Sequence, residues 1–150
     1  MFRREDLPSG ARDVTVALWR VTDPGNVGAL LRTADAFGAA VALSPECADP
    51  LGPRALRASA GAIFRVPLVD WNAVAGRRIA LVAHGGEPLS GLDLEPPLTL
   101  LLGSEREGLP QSLVTDSYLA TIPLPGGAES LNVAAAGAIA LYELSRRSSS

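Results

Sequence analysis

The feature that most constrains the fold is a short run of uniformly apolar residues: positions 98–102 read LTLLL. A strand with one solvated face alternates apolar and polar side chains, whereas a parallel strand covered on both faces is apolar nearly throughout. The run therefore predicts a buried parallel strand. Because parallel strands need crossover connections, which are usually helices, this segment favours an α/β fold, with a mostly parallel sheet flanked by helices.

Short apolar segments, most of them rich in β-branched residues, recur along the chain and predict further strands at residues 14–19, 39–43, 63–69, 79–83 and 118–123. A helix is predicted between an N-cap at Asn26 and a C-cap at Gly38, and others over residues 51–60 and 131–144. A length of 150 residues fits one domain. We expect residues 1–150 to form a single domain, without a separate N-terminal domain, since only residues 1–13 precede the first strand.

The last predicted helix is apolar on all sides rather than along one stripe. A helix of this kind must be buried on several sides. Two interpretations are open: a central core helix, or a helix whose outer face is covered by a second subunit.

Charge and cysteine content limit the function classes. The net charge is −3, all 13 basic residues are arginines, and the surplus of arginine lies in residues 1–65. A general nucleic-acid-coating protein would be basic. The single Cys47 offers neither a disulfide nor a metal cluster, and no apolar stretch is long enough to cross a bilayer. We expect a cytoplasmic protein with no metal site and no membrane partner.

Three segments indicate where a ligand would bind. Arg32 is predicted to point away from the apolar stripe of its helix, with Gly28 leaving a gap one turn before it. The loop 103–108 follows the buried strand, where open α/β sheets bind ligands. Gly126 and Gly127 precede a helix, but the lysine of a nucleotide-hydrolysing P-loop is missing. Unaided, these residues predict an α/β ligand-binding domain.

Together, three segments resemble the three signature motifs of the SpoU (TrmH-type) family of RNA 2′-O-ribose methyltransferases. They are residues 26–38 (NVGALLRTADAFG), 101–110 (LLGSEREGLP) and 122–136 (IPLPGGAESLNVAAA), and residues 59–64 (SAGAIF) are similar to the family as well. The resemblance covers about residues 14–145, and the three motifs occur in the family's order.

The resemblance implies a deep C-terminal trefoil knot and binding of S-adenosyl-L-methionine by backbone groups of three loops. The corresponding positions in this chain are Ala83, Gly103, Ile122 and Leu131. His84, the only histidine, is then a bystander beside the first loop rather than a base.

The resemblance also implies a reaction, the attack of a ribose 2′-oxygen of tRNA or rRNA on the sulfonium methyl group. The family pattern places five residues around that reaction: Asn26, Arg32, Glu105, Ser130 and Asn132. Arg32 would activate the 2′-hydroxyl or, because a guanidinium rarely loses its proton, would clamp the adjacent phosphate. Asn26, Ser130 and Asn132 would orient Arg32 and the loops, and Glu105 would fix a guanidinium.

The resemblance implies a homodimer through the C-terminal helix, with the active site at the dimer interface. We expect the chain to depart from the many family members that carry an N-terminal RNA-binding domain, because only residues 1–13 precede the first strand, and its net charge of −3 is acidic. RNA affinity would then come from a local set of arginines or from a helper protein. The candidate arginines are Arg3, Arg4, Arg12, Arg54, Arg57 and Arg65.

Two alternatives stay open at this point. One is a non-catalytic dimer that binds cofactor or RNA without turnover; the other is a generic α/β nucleotide-binding protein.

Overall fold

A single parallel sheet organises the protein. The computed structural model describes residues 12–74, 76–93, 95–104 and 106–148, and the seven strands within them run in the order β3-β2-β1-β6-β4-β7-β5, each parallel to its neighbours. The strands are β1 (Val14–Leu18), β2 (Ala40–Leu43), β3 (Leu68–Val69), β4 (Arg77–Leu81), β5 (Glu87–Pro88), β6 (Leu98–Leu102) and β7 (Tyr118–Thr121). The predicted α/β class with a mostly parallel sheet is confirmed.

Four helices accompany the sheet in the described part of the chain. They are α1 (Pro24–Phe37), α2 (Pro53–Ser59), α3 (Gln111–Thr115) and α4 (Val133–Ser148), and short 3₁₀ turns lie at Ala62–Phe64, Trp71–Ala73 and Leu89–Gly91. The helix α3 was not expected from the sequence, because five residues are too few to display a helical period. None of the helices among the described residues combines the length and apolarity that crossing a membrane requires.

Both faces of the sheet are covered, as the composition of β6 predicts. All five residues of β6 are buried. On one face, Leu100 and Leu102 belong to the main core with residues of α1 and α4. On the other face, Leu101 joins three buried strand alanines in a thinner layer. Residues of β3, of the turn at Trp71–Ala73, of α3 and of the segments beside them cover this second layer. They include Val69, Trp71, Val74, Leu109 and Leu113.

The helix α1 begins three residues earlier than the sequence pattern indicates. Its N-cap is Asp23, whose Oδ1 accepts hydrogen bonds from the backbone N–H groups of Gly25 at 2.7 Å and Asn26 at 3.3 Å. The prediction of Asn26 as N-cap is therefore wrong. Pro24 fits the first helical position because it has no N–H to satisfy there. The predicted end at Gly38 is confirmed, since Gly38 adopts the left-handed conformation with φ of 69°.

The predicted strand over residues 63–69 is mostly wrong. Gly61 turns the chain with φ of 84°, and Ala62–Phe64 then form a 3₁₀ turn. Ile63 is nonetheless fully buried. Its apolar character reflects burial in the core within a turn, and only Leu68–Val69 pair with β2.

The helices α1 and α2 approach closely at Gly28. A Cβ atom at this position would lie 2.5 Å from the carbonyl oxygen of Ala55, 2.5 Å from the Cβ of Ala58 and 2.9 Å from the nitrogen of Ser59. The gap that the sequence indicates beside Arg32 is therefore filled by α2 and is not open to a ligand. Because Gly28 has no side chain, the backbones of α1 and α2 can approach closely, and this contact buries Gly28.

The helix α4 has one buried and one exposed face. Val133, Ala140, Leu141 and Leu144 face the core, whereas the outward side chains include Ile139 and Tyr142, which are 45% and 56% exposed. The helix is thus not a central core helix. The trefoil knot implied by the family resemblance stays a prediction.

Candidate functional site

A cavity of about 510 Å³ lies at the carboxyl ends of three adjacent strands, β6, β4 and β7. Its walls come from the last residue of each strand and the loop behind it: residues 81–83 at the end of β4, residues 102–104 with Gly108 at the end of β6, and residues 121, 122 and 124 at the end of β7. Residues 129–133 with Ala136, at the start of α4, complete it. The position agrees with the general rule that open α/β sheets bind ligands at the carboxyl ends of their strands. The volume lies in the range of small-molecule sites.

The cavity combines apolar walls with few polar side chains. Leu81, Leu102 and Val133 supply apolar surface, and Glu129 supplies the one carboxylate among the described residues that line it. A site of this composition suits a flat, largely apolar group that backbone atoms recognise, with a carboxylate available to a positive charge.

The loop after β6 owes its shape to Gly103. A Cβ at Gly103 would lie 2.4 Å from the carbonyl carbon of Gly108 and 2.6 Å from the nitrogen of Leu109, so the loop can fold back on itself only with glycine there. Ser104 holds the turn, since its carbonyl oxygen accepts from the N–H of Gly108 at 2.9 Å and its Oγ accepts from the N–H of Glu107 at 3.1 Å.

The structure brings together most of the residues that the sequence analysis names. The four positions expected to hold the cofactor all line the cavity, together with two of the expected catalytic residues; these six are Ala83, Gly103, Ile122, Leu131, Ser130 and Asn132. Their roles stay predictions, although their common location is observed.

Asn132 connects the cavity to α1. Its Oδ1 accepts hydrogen bonds from the N–H groups of Ala134 at 2.8 Å and Ala135 at 3.2 Å, so it caps α4. With the oxygen held in this way, Nδ2 points to α1 and donates to Oδ1 of Asn26 at 3.3 Å. The two asparagines are 106 positions apart in sequence, and this contact joins the first and third family-like motifs.

The cap predicts a difference between two substitutions of Asn132. Asn132→Asp keeps an oxygen that can cap α4 but removes the Nδ2 donor to Asn26, so its free energy of unfolding in urea should fall by less than that of Asn132→Ala, which loses both contacts. Asn132→Ala should lower the free energy of unfolding by about 1 kcal/mol, because Ala leaves the first-turn N–H groups without the side-chain acceptor. Equal losses in both variants would show that the cap does not stabilise α4.

One described residue of the expected catalytic set, Arg32, lies outside this arrangement. Arg32 is exposed on α1 and does not line the cavity. Within the described ranges it forms neither an ion pair nor a side-chain hydrogen bond, so its guanidinium is available to a ligand or to another subunit. Glu105 lies outside the described residues.

Glu129 is a lining residue that the sequence analysis missed. It directly precedes Ser130, and its position inside the third motif was the only available signal. Its Oε2 lies 3.9 Å from Nε2 of His84, and both side chains are largely exposed, at 95% and 75%. His84 directly follows Ala83 of the first loop, and the contact brings that loop close to Glu129; its expected role as a bystander stays a prediction.

Comparison with known proteins agrees with this geometry. Residues 13–142 match the model of the SpoU rRNA methylase family. The chain is 37% identical over 145 residues to a 23S rRNA (uridine(2479)-2′-O)-methyltransferase of Streptomyces viridochromogenes, covering 85% of this chain and 50% of that protein. It is 36% identical over 135 residues to a 23S rRNA (guanosine(2553)-2′-O)-methyltransferase of Bacillus subtilis, covering 83% of this chain and 54% of that protein.

A solved structure gives the same result for the fold. The AdoMet-bound rRNA methyltransferase of Sinorhizobium meliloti superposes with a TM-score of 0.83 at 37% identity, over 95% of this chain and 59% of that chain. The chain thus spans about half the length of the curated relatives that it matches. The match extends through all three motifs and through every strand that borders the cavity, and the chain therefore belongs to the SpoU rRNA methylase family.

Proposed function

We propose that this protein transfers a methyl group from S-adenosyl-L-methionine to a ribose 2′-hydroxyl of rRNA or tRNA. The observation that supports this most is the cavity at the ends of β6, β4 and β7, which contains all four positions expected to hold the cofactor. Relatives named as 2′-O-methyltransferases of 23S rRNA support the choice of reaction and substrate.

The residues of the cavity fit S-adenosyl-L-methionine. Leu81, Leu102 and Val133 suit the adenine ring, and the backbone groups of the three loops can satisfy its nitrogen atoms. The Glu129 carboxylate lies where a cationic ligand would meet a negative charge. When bound, the cofactor supplies a methyl group already activated by a positive sulfonium.

The protein must then position the ribose and stabilise charge on its 2′-oxygen. Alignment of two reacting groups can contribute about 7–11 kcal/mol to lowering the barrier. We assign Ser130 and Asn132, both on the cavity wall, to positioning, with Asn26 holding the Asn132 amide. We assign Arg32 to the ribose or its adjacent phosphate, because a guanidinium donates two parallel hydrogen bonds to such groups. Glu105 would fix a guanidinium.

The test is transfer of labelled methyl from S-adenosyl-L-methionine to unmodified rRNA and tRNA, followed by digestion to nucleosides. Label in a 2′-O-methylnucleoside is expected and would identify the RNA. Cofactor binding by calorimetry without label in any RNA would instead indicate a binding protein without turnover or an enzyme that needs a helper protein for RNA. Absence of both binding and label would exclude the proposal.

We further propose a homodimer through α4, in the cytoplasm, where rRNA and tRNA are accessible. Ile139 and Tyr142 are exposed on the outer face of α4, and Phe37 at the end of α1 contacts Tyr142 edge-to-face with ring centroids 6.4 Å apart. Adjacent exposed apolar side chains of this kind are typical of an interface. A second copy would also offer its exposed Arg32 to the cavity, because the described residues that line the cavity include no arginine.

This proposal predicts the effect of a charge in the outer face of α4. Tyr142→Glu should convert a dimer to a monomer in sedimentation velocity, because dimer formation would remove water from the new carboxylate. Tyr118→Glu is the matched control, since Tyr118 is 49% exposed but is the first residue of β7 and not part of α4. A wild-type monomer, or a dimer unaffected by Tyr142→Glu, would contradict the proposal.

A further inference from the structure

We propose that the exposed arginines of α2, Arg54 and Arg57, contact phosphates of the RNA substrate and lead it to Arg32 on the neighbouring helix α1. This inference rests on the proposed function. It assigns an RNA-binding surface to a domain whose net charge of −3 gives no general attraction for nucleic acid.

Apart from Arg12, which lies beside Gly38 at the C-terminal end of α1, the described arginines of the first half of the chain form two groups. Arg20 and Arg65 are neutralised: Arg20 Nε lies 3.0 Å from Oε2 of Glu46, and Arg65 forms two hydrogen bonds to Oδ2 of Asp35 at 2.9 and 3.0 Å. These hydrogen bonds and the charge of Asp35 raise the pKa of Arg65. Such arginines are already engaged by carboxylates and are poor candidates for phosphate contacts.

Arg32, Arg54 and Arg57 form the second group. All three are exposed, and none of them has a carboxylate partner in the part of the chain that the structure describes. Exposed arginines without acidic neighbours retain their full charge for an external anion, and their planar groups match phosphate geometry.

The packing of α1 on α2 brings this second group to adjacent helices. Gly28 contacts Ala55, Ala58 and Ser59, which occupy the inner side of α2. Arg54 and Arg57 lie on the remaining, solvent-facing side of that helix. Arg32 follows Gly28 by four residues, so it lies one turn further along the side of α1 that faces α2. Arg32, Arg54 and Arg57 are therefore exposed on two helices that pack directly against each other.

RNA is the partner that this surface fits. Phosphate contacts by arginine supply affinity that does not depend on sequence and that falls as salt rises. A few arginines without carboxylate partners explain how a protein with a negative net charge binds RNA at one local surface.

The experiment measures binding of in vitro transcribed, unmodified 23S rRNA and tRNA to the full chain by filter retention over a range of KCl concentrations. Arg54→Gln and Arg57→Gln are each expected to weaken binding about five-fold at about 0.1 M salt, and the double variant about 25-fold. The slope of log affinity against log salt should fall in magnitude by about 0.7 for each lost contact to single-stranded RNA. Arg77→Gln is the matched control, because Arg77 is also exposed but lies at the amino end of β4. The cavity lies at the carboxyl ends of the strands.

The outcomes separate this inference from the proposed function. The wild type could methylate RNA while Arg54→Gln and Arg57→Gln bind RNA as tightly as Arg77→Gln. This result would contradict the proposed RNA-binding surface but not the proposed function. Wild type that binds S-adenosyl-L-methionine but no RNA would overturn the surface, and wild type that neither binds S-adenosyl-L-methionine nor methylates RNA would overturn both. Calorimetry with S-adenosyl-L-methionine should give the wild-type affinity in every variant; a loss would show that the substitutions act through the fold.

Discussion

Arg32→Ala is expected to lower the rate of methyl transfer by about 10²–10³-fold, the usual effect of removing one group that stabilises developing charge. The structure makes this result easy to interpret. Arg32 is exposed, lies outside the cavity and bonds to no described residue, so its removal should change the free energy of unfolding by no more than about 0.5 kcal/mol. Binding of S-adenosyl-L-methionine should also be unchanged, and the measurement is single-turnover methyl transfer at saturating RNA.

Arg32→Lys and Arg77→Ala complete this experiment. Lysine keeps the charge but loses the planar, bidentate group, so partial activity in Arg32→Lys would indicate that charge matters more than geometry. Arg77→Ala removes an arginine at the far edge of the sheet and should be fully active. An Arg32→Ala protein with near wild-type turnover would exclude Arg32 from the reaction.

Gly28→Ala is expected to destabilise the protein by about 1–3 kcal/mol, although alanine is the better helix former. The added Cβ would lie 2.5 Å from the Ala55 carbonyl oxygen and 2.9 Å from the Ser59 nitrogen, which are backbone atoms and cannot rotate away. The helices α1 and α2 would have to separate. Thermal unfolding measures the effect, and each kcal/mol should lower the Tm by about 2–4 °C in a chain of this size.

Substitutions of two other glycines serve as controls for this prediction. A Cβ at Gly137 would meet Cδ2 of Leu30 at 2.4 Å, but the end of a leucine side chain can move, so Gly137→Ala should cost less than Gly28→Ala. Gly126 has open space around it, and Gly126→Ala should change the free energy of unfolding by less than about 0.5 kcal/mol. Equal stability of Gly28→Ala and Gly126→Ala would contradict the described contact of α1 with α2.

Several features of the fold depend on near neighbours in the chain, and these could be predicted from the sequence. The uniform apolarity of β6 reports burial on both faces of a parallel sheet, and the structure confirms it. Gly38 ends α1 because a left-handed residue is needed there, and glycine adopts that conformation without strain. The family motifs also identified the loops that line the cavity, since Gly103, Ile122 and Leu131 lie in them.

Other features depend on atoms that are far apart in sequence, and only the tertiary structure decided them. The sequence predicted Asn26 as a helix cap, but Asp23 caps α1. Asn26 instead accepts a hydrogen bond from Asn132, because α1 and α4 both begin at the carboxyl ends of the strands. The glycine at position 28 predicted space for a ligand beside Arg32, but α2 fills that space. Local periodicity indicates which side chains are buried, but it does not contain the strand order, which determines the residues that they meet.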